Sequence, residues 1–346
     1  MSDSIRIDRI YRRIGFFACS SVFLLFLFGG LVRATGSGMG CPDWPRCFGL
    51  WAPPTCDCDL PANYQAIFLE KRLAKAERFA STLERLGFET QAQRLRENPY
   101  LDMPEQFDPL KAWVEYINRL FGVLAGFAAL AFAFISFRHA RFKKSRLWVF
   151  LGFVLLLINA WLGSIVVATN LLPGIVSIHF MLAFACLFAF MMALHKHNPY
   201  RWPGISNTWL LRWGLFLGTM TVVLLGTWTR EQVDALRMQG ILSDGTHLNM
   251  ADMDHLFTVH RYLPVLLAFW VVWFLRKLPG ESLGTSELPY LLFVGISLIQ
   301  VLLGAVNIWF LIPTWAQLLH VLFGSLLPVL AFYLALQPSA EQSQHS

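Results

Sequence analysis

The sequence predicts an all-α integral membrane protein whose eight transmembrane helices form two repeated four-helix bundles. Composition is the first indication, because 56% of the 346 residues are hydrophobic and only 14% are charged, which is too apolar for one soluble core. The second is that eight segments are long enough to cross a bilayer, which takes about 20 apolar residues. The third is an internal repeat that relates the two halves of the chain.

The apolar segments divide the chain into two halves joined by a short linker. Lipid offers backbone groups no partner, so each segment that spans the bilayer is expected to be a helix. The spans are placed at residues 14–33, 113–137, 147–168, 174–194, 209–229, 255–275, 288–310 and 314–336. The predicted regions are an N-terminal tail with the first span (1–33), an external loop with a helical insert (34–112), the rest of the first half (113–194), a cytoplasmic linker (195–208), the second half (209–336) and a C-terminal tail (337–346).

Lysine and arginine residues gather on alternate connections, and such connections stay in the cytoplasm. They are the N-terminal tail with Arg6, Arg9, Arg12 and Arg13, the loops 138–146 and 195–212, and the pair Arg276 and Lys277. We therefore expect both termini in the cytoplasm and the protein in a bacterial inner membrane, surrounded by lipid. The net charge of +6 does not indicate nucleic acid, because these charges flank spans without interleaved aromatic residues.

Four of the six cysteines crowd the first external loop, on the side of the membrane that can be oxidising. They are Cys41, Cys47, Cys56 and Cys58. Four thiols allow three disulfide pairings, of which we favour Cys41 with Cys47. A soft-metal site made by all four is the alternative, although their spacing matches no zinc pattern.

The same loop is too long to be a plain connection and should carry structure of its own. Residues 63–97 have apolar side chains at helical spacing among Glu, Lys and Arg, and Gly87 marks a break. This pattern predicts a helical hairpin over the outer membrane face. A solvated spacer or partner-binding insert without chemistry is the simplest interpretation of its role.

The internal repeat aligns the halves span for span and places ligand sites at equivalent positions. Gly163 and His179 are separated by the same number of residues as Gly304 and His320. The dipeptide Asn118-Arg119 likewise corresponds to His260-Arg261, and Arg33 corresponds to Arg230 at the end of an apolar helix.

Three histidines, His179, His260 and His320, lie about five or six residues inside the external ends of their spans, roughly 8 Å deep at 1.5 Å per residue. A polar side chain at this depth is costly and tends to mark a ligand site. Two imidazoles from facing helices can clamp a heme iron on both sides, so we expect His260 and His320 to form such a pair. A helix-to-helix hydrogen bond is the alternative for a single histidine.

Four arginines lie where the two propionates of a heme would reach the membrane surface. Guanidinium groups bind carboxylates by paired, charge-assisted hydrogen bonds, and we expect this role of Arg119, Arg261, Arg33 and Arg230. Interfacial snorkelling is the alternative for Arg33 and Arg230.

Glu115 lies three residues before Asn118, on the same helical face. It could move protons or stabilise positive charge, or it could be an acid favoured by the helix dipole.

Three stretches of sequence and the ordered histidines together resemble the heme A synthase family. They are GGLVRATGSGMGCPDWPRCFGLWAPPT (29–55), EYINRLFGVLAG (115–126) and GTWTREQVD (226–234). The resemblance implies a heme b cofactor whose iron is bound by His260 and His320. It also implies that heme O is the substrate in the first half and that its iron is bound by His179. It also implies that Glu115 is catalytic and that Cys41 and Cys47 form a redox-sensitive disulfide. Heme O synthase, an electron acceptor and a second copy of the chain are the implied partners.

One residue departs from the family pattern, which has histidine where this chain has Asn118. An amide is a poor iron ligand, so substrate heme would be held by His179 alone, with Asn118 offering a hydrogen bond. The leading hypothesis is oxidation of the C8 methyl group of heme O to a formyl group. The alternative is a non-catalytic heme carrier or an assembly factor for cytochrome oxidase.

Overall fold

The described part of the protein is all-helical, and eight of its helices are long and apolar enough to cross a membrane. The computed structural model describes residues 2–43, 45–98, 101–102, 104, 106–169, 174–197, 209–238, 253–276, 288–310 and 312–337. Its helices are α1 (Ser2–Ala34), α2 (Tyr64–Arg85), α3 (Glu89–Arg96), α4 (Pro109–Arg138), α5 (Arg146–Ala168), α6 (Ile175–His197), α7 (Trp209–Met238), α8 (His255–Leu275), α9 (Leu288–Trp309) and α10 (Thr314–Ala335).

The spanning helices pack as two rings of four. Helices α1, α4, α5 and α6 form one closed ring, which we call the first bundle, and α7, α8, α9 and α10 form the second. The bundles meet where α1 and α6 pack against α7 and α10. In each ring the first and third helices, and the second and fourth, face each other across the centre. Large apolar side chains such as Phe127, Phe134, Phe269 and Leu302 remain exposed on the outside, as lipid requires.

Each bundle has its own apolar core. Tyr11, Phe132, Phe184 and Phe190 are fully buried in the first, and Leu215, Val271 and Phe293 are buried in the second. We name the side of the protein on which residues 35–108 lie the loop face, and the opposite side the terminal face. The described parts of the basic connections predicted to be cytoplasmic lie on the terminal face. The predicted linker and C-terminal tail fall mostly outside the described residues, at 198–208 and 338–346.

Two helices extend beyond their predicted spans. Helix α1 is continuous from Ser2, so the predicted N-terminal tail forms its first turns. Helix α7 continues to Met238, about two turns past the predicted end at residue 229. Arg230 therefore lies inside a helix rather than at its end. The extension is polar, so hydropathy alone could not reveal it.

The predicted hairpin in the first loop is confirmed. Helices α2 and α3 are separated by Gly87, whose φ of +84° is the left-handed conformation that favours glycine. Helix α2 packs on the first bundle through Phe79 and Trp161, whose ring centroids are 6.3 Å apart. Arg96 of α3 bridges back to Glu77 at 2.7 Å and to Glu84. The insert is thus a folded unit seated on the loop face.

Replacing Arg96 with Gln should loosen this hairpin and remove the pH dependence of its stability. Hydrogen bonds from Arg96 hold the pKa of Glu77 and of Glu84 below its ordinary value. The two ion pairs therefore stabilise the hairpin above about pH 4.3, the ordinary glutamate pKa. This stabilisation is lost as the pH falls through the lowered pKa values. Amide exchange of α2 and α3 between pH 7 and pH 3 measures this. Arg78→Gln, at an exposed position of α2, should leave the pH dependence of exchange as in the wild type. If Arg96→Gln also exchanged as the wild type does, the role assigned to Arg96 would be wrong.

Candidate functional site

The centre of the second bundle holds a pair of histidines from facing helices. His260 of α8 and His320 of α10 have ring centroids 6.3 Å apart. Nδ1 of His260 lies 3.0 Å from the carbonyl oxygen of Val222 on α7, which leaves the other ring nitrogen for a ligand. Imidazole nitrogens bind a first-row metal at about 2.0–2.1 Å, so rings that face each other across one metal are roughly 6 Å apart. The pair therefore fits an iron held between two imidazoles.

Each of the three membrane histidines packs against a glycine on the preceding helix. A Cβ atom added to Gly226 would lie 2.8 Å from Cε1 of His260, and one added to Gly163 would lie 3.2 Å from Cε1 of His179. The corresponding distance from Gly304 to His320 is 3.7 Å. Gly226 and Gly163 therefore create room for their rings, whereas the contact at Gly304 is an ordinary one. Sequence analysis used Gly163 and Gly304 only to align the halves and did not assign them this role.

Two buried amides were also missed by sequence analysis. Gln300 of α9 donates a 2.8 Å hydrogen bond from Nε2 to the carbonyl oxygen of His320, which fixes the backbone that carries this histidine. Asn159 of α5 occupies the corresponding position in the first half, four residues before Gly163, and is 7% exposed. The signal that could have identified them is a polar residue four positions before each glycine in an otherwise apolar span.

The first bundle presents His179 and Asn118 on facing helices, α6 and α4. Both are partly buried. They thus occupy the same diagonal of their ring as His320 and His260 do in the second bundle. The first bundle therefore presents one imidazole and one amide where the second presents two imidazoles.

Glu115 lies under the loop that carries Cys41 and Cys47, which we call the cysteine loop. Its side chain is 3% exposed and accepts a 2.8 Å hydrogen bond from the backbone N–H of Cys41. It also pairs with Arg119, one turn along α4. The remaining donors of Arg119 bond the carbonyl oxygens of Cys41, at 2.6 Å, and of Asp43. The Arg119 guanidinium therefore bonds this loop and Glu115, and it gives the buried carboxylate the cation that it needs beside it; its binding of a propionate stays a prediction.

The loop that covers Glu115 is closed by paired cysteines. The structure pairs Cys41 with Cys47, with Cα atoms 4.9 Å apart, and both are fully buried. Cys56 is paired separately with Cys58. The four cysteines therefore do not form a common metal site; in the part of the chain that the structure describes, only Cys56, Cys58 and Asp59 cluster at ligand distance.

The other predicted carboxylate-binding arginines divide into two kinds. Arg33 and Arg230 both pair with Asp234, at 2.6 Å and 3.0 Å, and Arg230 also donates to the side-chain oxygen of Gln317. Arg261 is exposed and lies 5.5 Å from the ring centroid of Tyr262. Asp234 was not assigned a role from sequence, although it belongs to the GTWTREQVD stretch.

The six remaining histidines lie in loops or at the edges of spans, where the sequence predicts them to be solvated; His139, His195 and His197 are instead partly buried, and the clearest correction is His197. It is partly buried at the terminal face, 3.1 Å from Asp8, and its ring contacts those of Tyr11 and Phe142. Aromatic residues near the helix end account for this, because they offer the imidazole a packed environment. His247 and His345 lie outside the described residues.

The fold and the site define a multi-pass membrane protein with buried histidines in two helical bundles. The chain belongs to the cytochrome oxidase assembly protein family, which matches residues 12–70 and 83–332. It is also similar to the heme A synthase of Shewanella oneidensis, with 25% identity over 218 residues, 62% of this chain and 54% of that protein. The chain thus spans about half the length of this curated relative. The resemblance predicted from the motifs is confirmed.

Replacing Gly40 with Ala should displace the cysteine loop from its contact with α4. The new Cβ would lie 2.5 Å from the carbonyl carbon and oxygen of Lys111, and both are backbone atoms, so the loop must move. We expect the free energy of unfolding to fall by about 1–3 kcal/mol and Cys41 and Cys47 to be reduced faster. Thermal unfolding in detergent and thiol labelling measure these changes. Gly295→Ala, where a Cβ meets nothing within 4 Å, is the control; equal behaviour of the two variants would refute the tight contact.

Proposed function

We propose that this protein is a heme A synthase, which oxidises the C8 methyl group of heme O to a formyl group with the help of a bound heme b. The observation that carries the proposal is the facing pair His260 and His320, whose 6.3 Å ring separation suits one iron between them. Membership of the cytochrome oxidase assembly protein family supports the same conclusion. Placement in a bacterial inner membrane with both termini in the cytoplasm is part of the proposal, since the basic connections gather on the terminal face.

His260 and His320 would hold the heme b iron, and Gly226 leaves room for the His260 ring. When bound, this group supplies one-electron redox chemistry. Arg261, exposed beside the ligand His260, would bind a propionate of the cofactor, and Arg230 would contribute positive charge at the same end. Gln300 keeps the His320 backbone in place, which preorganises the ligand pair.

In the first bundle, His179 would bind the iron of heme O and Asn118 would orient the substrate by a hydrogen bond. Arg33 would contribute charge at the loop face. Glu115 would exchange a proton as the substrate is oxidised, because it is a buried carboxylate three residues before Asn118, on the same helical face. Arg119 would hold Glu115 and the cysteine loop. The substrate would arrive from a heme O synthase, and an electron acceptor would complete each turnover.

The replacement of the family histidine by Asn118 favours a second candidate function. With one imidazole in the first bundle, the protein could bind heme without oxidising it, as a carrier or an assembly factor for cytochrome oxidase. Coexpression with a heme O synthase in a host that lacks heme A distinguishes the two functions. Chromatography and mass analysis of extracted hemes should find heme A if the protein is a synthase; bound heme b with unchanged heme O would support the carrier.

His260→Ala or His320→Ala should abolish the low-spin heme b spectrum of the purified protein, because one axial ligand is lost. Gly226→Ala should weaken heme b binding by about tenfold, the usual effect of disturbing the surroundings of a metal ligand, since its Cβ would lie 2.8 Å from the His260 ring. Absorption spectra and heme dissociation rates measure both effects.

Two controls accompany this prediction. Gly304→Ala adds a Cβ at an ordinary contact distance of 3.7 Å from His320 and should retain heme b. His197→Ala, at the terminal face, should retain it as well. A low-spin spectrum that survives in both ligand variants would rule out the assigned pair.

Glu115→Gln should reduce heme A formation at least about a hundredfold, the usual contribution of a positioned proton-transfer group, while heme b persists. The amide keeps an oxygen that accepts from Cys41 but cannot carry a proton. Heme A output at limiting enzyme is the measurement. Asn118→His should tighten heme O binding without necessarily raising turnover. Unchanged heme A output in Glu115→Gln would assign this carboxylate to the helix dipole and the loop instead.

A further inference from the structure

The polar extension of α7 at the loop face carries two carboxylates that bond to the other bundle. Glu231 and Asp234 both lie beyond the predicted end of the span, and each contacts a helix of the first bundle. Among the described residues the bundles otherwise meet largely through apolar side chains of α1, α6, α7 and α10, such as Phe188 against Phe216 and Phe332. Apolar contacts have little directional preference, so these two carboxylates supply directional bonds between the bundles.

Glu231 holds the beginning of α6. Its Oε1 atom accepts a 2.9 Å hydrogen bond from the backbone N–H of Gly174 and a 2.7 Å bond from the hydroxyl of Ser177. Helix α6 begins at Ile175, so His179 lies in its first turns. An acidic group at this end is favoured by the helix dipole. The carboxylate that secures the helix of His179 therefore comes from the second bundle.

Asp234 completes the junction one turn further along α7. Its two oxygens bond Arg33 of α1 and Arg230 of α7, so one carboxylate joins an arginine from each bundle. Arg230 in turn donates to Gln317 of α10, three residues before His320. A continuous chain of polar contacts thus runs from α1 through α7 to the helix of the second-bundle ligand.

We propose that Glu231 is a positioning residue that fixes His179 relative to the second bundle, and that Asp234 fixes the neighbouring junction of α1 with α7 and α10. The inference rests on the proposed function, because it assumes that His179 binds the iron of heme O. Both carboxylates act through other residues and touch no reacting atom. Their effect is to set the distance and orientation between the substrate heme and the cofactor site, to which electron transfer is sensitive.

The test measures heme O binding rather than turnover. Purified protein that retains heme b is titrated with heme O in detergent, and the absorption change of the added heme is followed. Glu231→Ala should weaken binding by about tenfold, as expected for an outer partner of a metal ligand, and should speed amide exchange at the start of α6. Glu231→Gln keeps an acceptor oxygen and should lose less affinity. Glu89→Ala, an exposed glutamate of α3, is the matched control and should bind normally.

A double-mutant cycle separates positioning of His179 from a general structural role. In a His179→Ala background, Glu231→Ala should cause no further loss of heme O binding. An equal loss in both backgrounds, or unchanged α6 exchange in Glu231→Ala, would overturn the inference. Wild-type protein that binds heme O through His179 but forms no heme A would contradict the proposed function without contradicting the inference. Wild-type protein that binds no heme O would overturn both.

Asp234→Asn should raise the midpoint potential of heme b, because the substitution removes a negative charge near α10, the helix of His320. Glu89→Ala should not change the potential. An unaltered potential together with unaltered heme O binding in Asp234→Asn would overturn this part of the inference.

Discussion

Lipid gives the backbone no hydrogen-bonding partner, so the chain can cross the membrane only as helices whose polar groups are satisfied internally. This constraint leaves one place for polar side chains, the interior of a ring of helices. The outer surfaces of both bundles are accordingly apolar, and His260 and His320 meet near the middle of their ring. The histidines thus lie together because the solvent excludes them from every other position at that depth.

Close packing then decides how much room each histidine has. In a ring of four helices the centre is normally filled by side chains, and glycine is the residue that leaves a space beside an imidazole. A methyl group on Gly226 would clash with His260 at 2.8 Å, and one on Gly163 would crowd His179 at 3.2 Å. The histidine comes from one helix and the space beside it from the helix that precedes it in the chain.

Charge is balanced locally at the loop face. Arg119 is neutralised by Glu115 and the loop carbonyls, and Arg33 and Arg230 share Asp234. At this low-dielectric boundary an unpaired guanidinium would be costly, so a carboxylate ligand would join pairs that already exist. The loop face thus serves as an ordered layer of ion pairs that connects the cysteine loop, both bundles and the helix ends near the histidines.

The sequence by itself determined the eight spans, the loop hairpin with its break at Gly87 and the family, because hydropathy, helical spacing and motifs are local properties of the chain. It also selected His260 and His320, since polar residues in apolar helices stand out. Only the tertiary structure decided that Arg119 closes the loop over Glu115 and that Asp234 pairs with Arg33, which lies 201 residues before it along the chain. Such pairings depend on which helices become neighbours, and local pattern carries no information about a partner from the other half. The extension of α7 was missed for a related reason: its polar residues are helical through contacts with the first bundle, which hydropathy does not report.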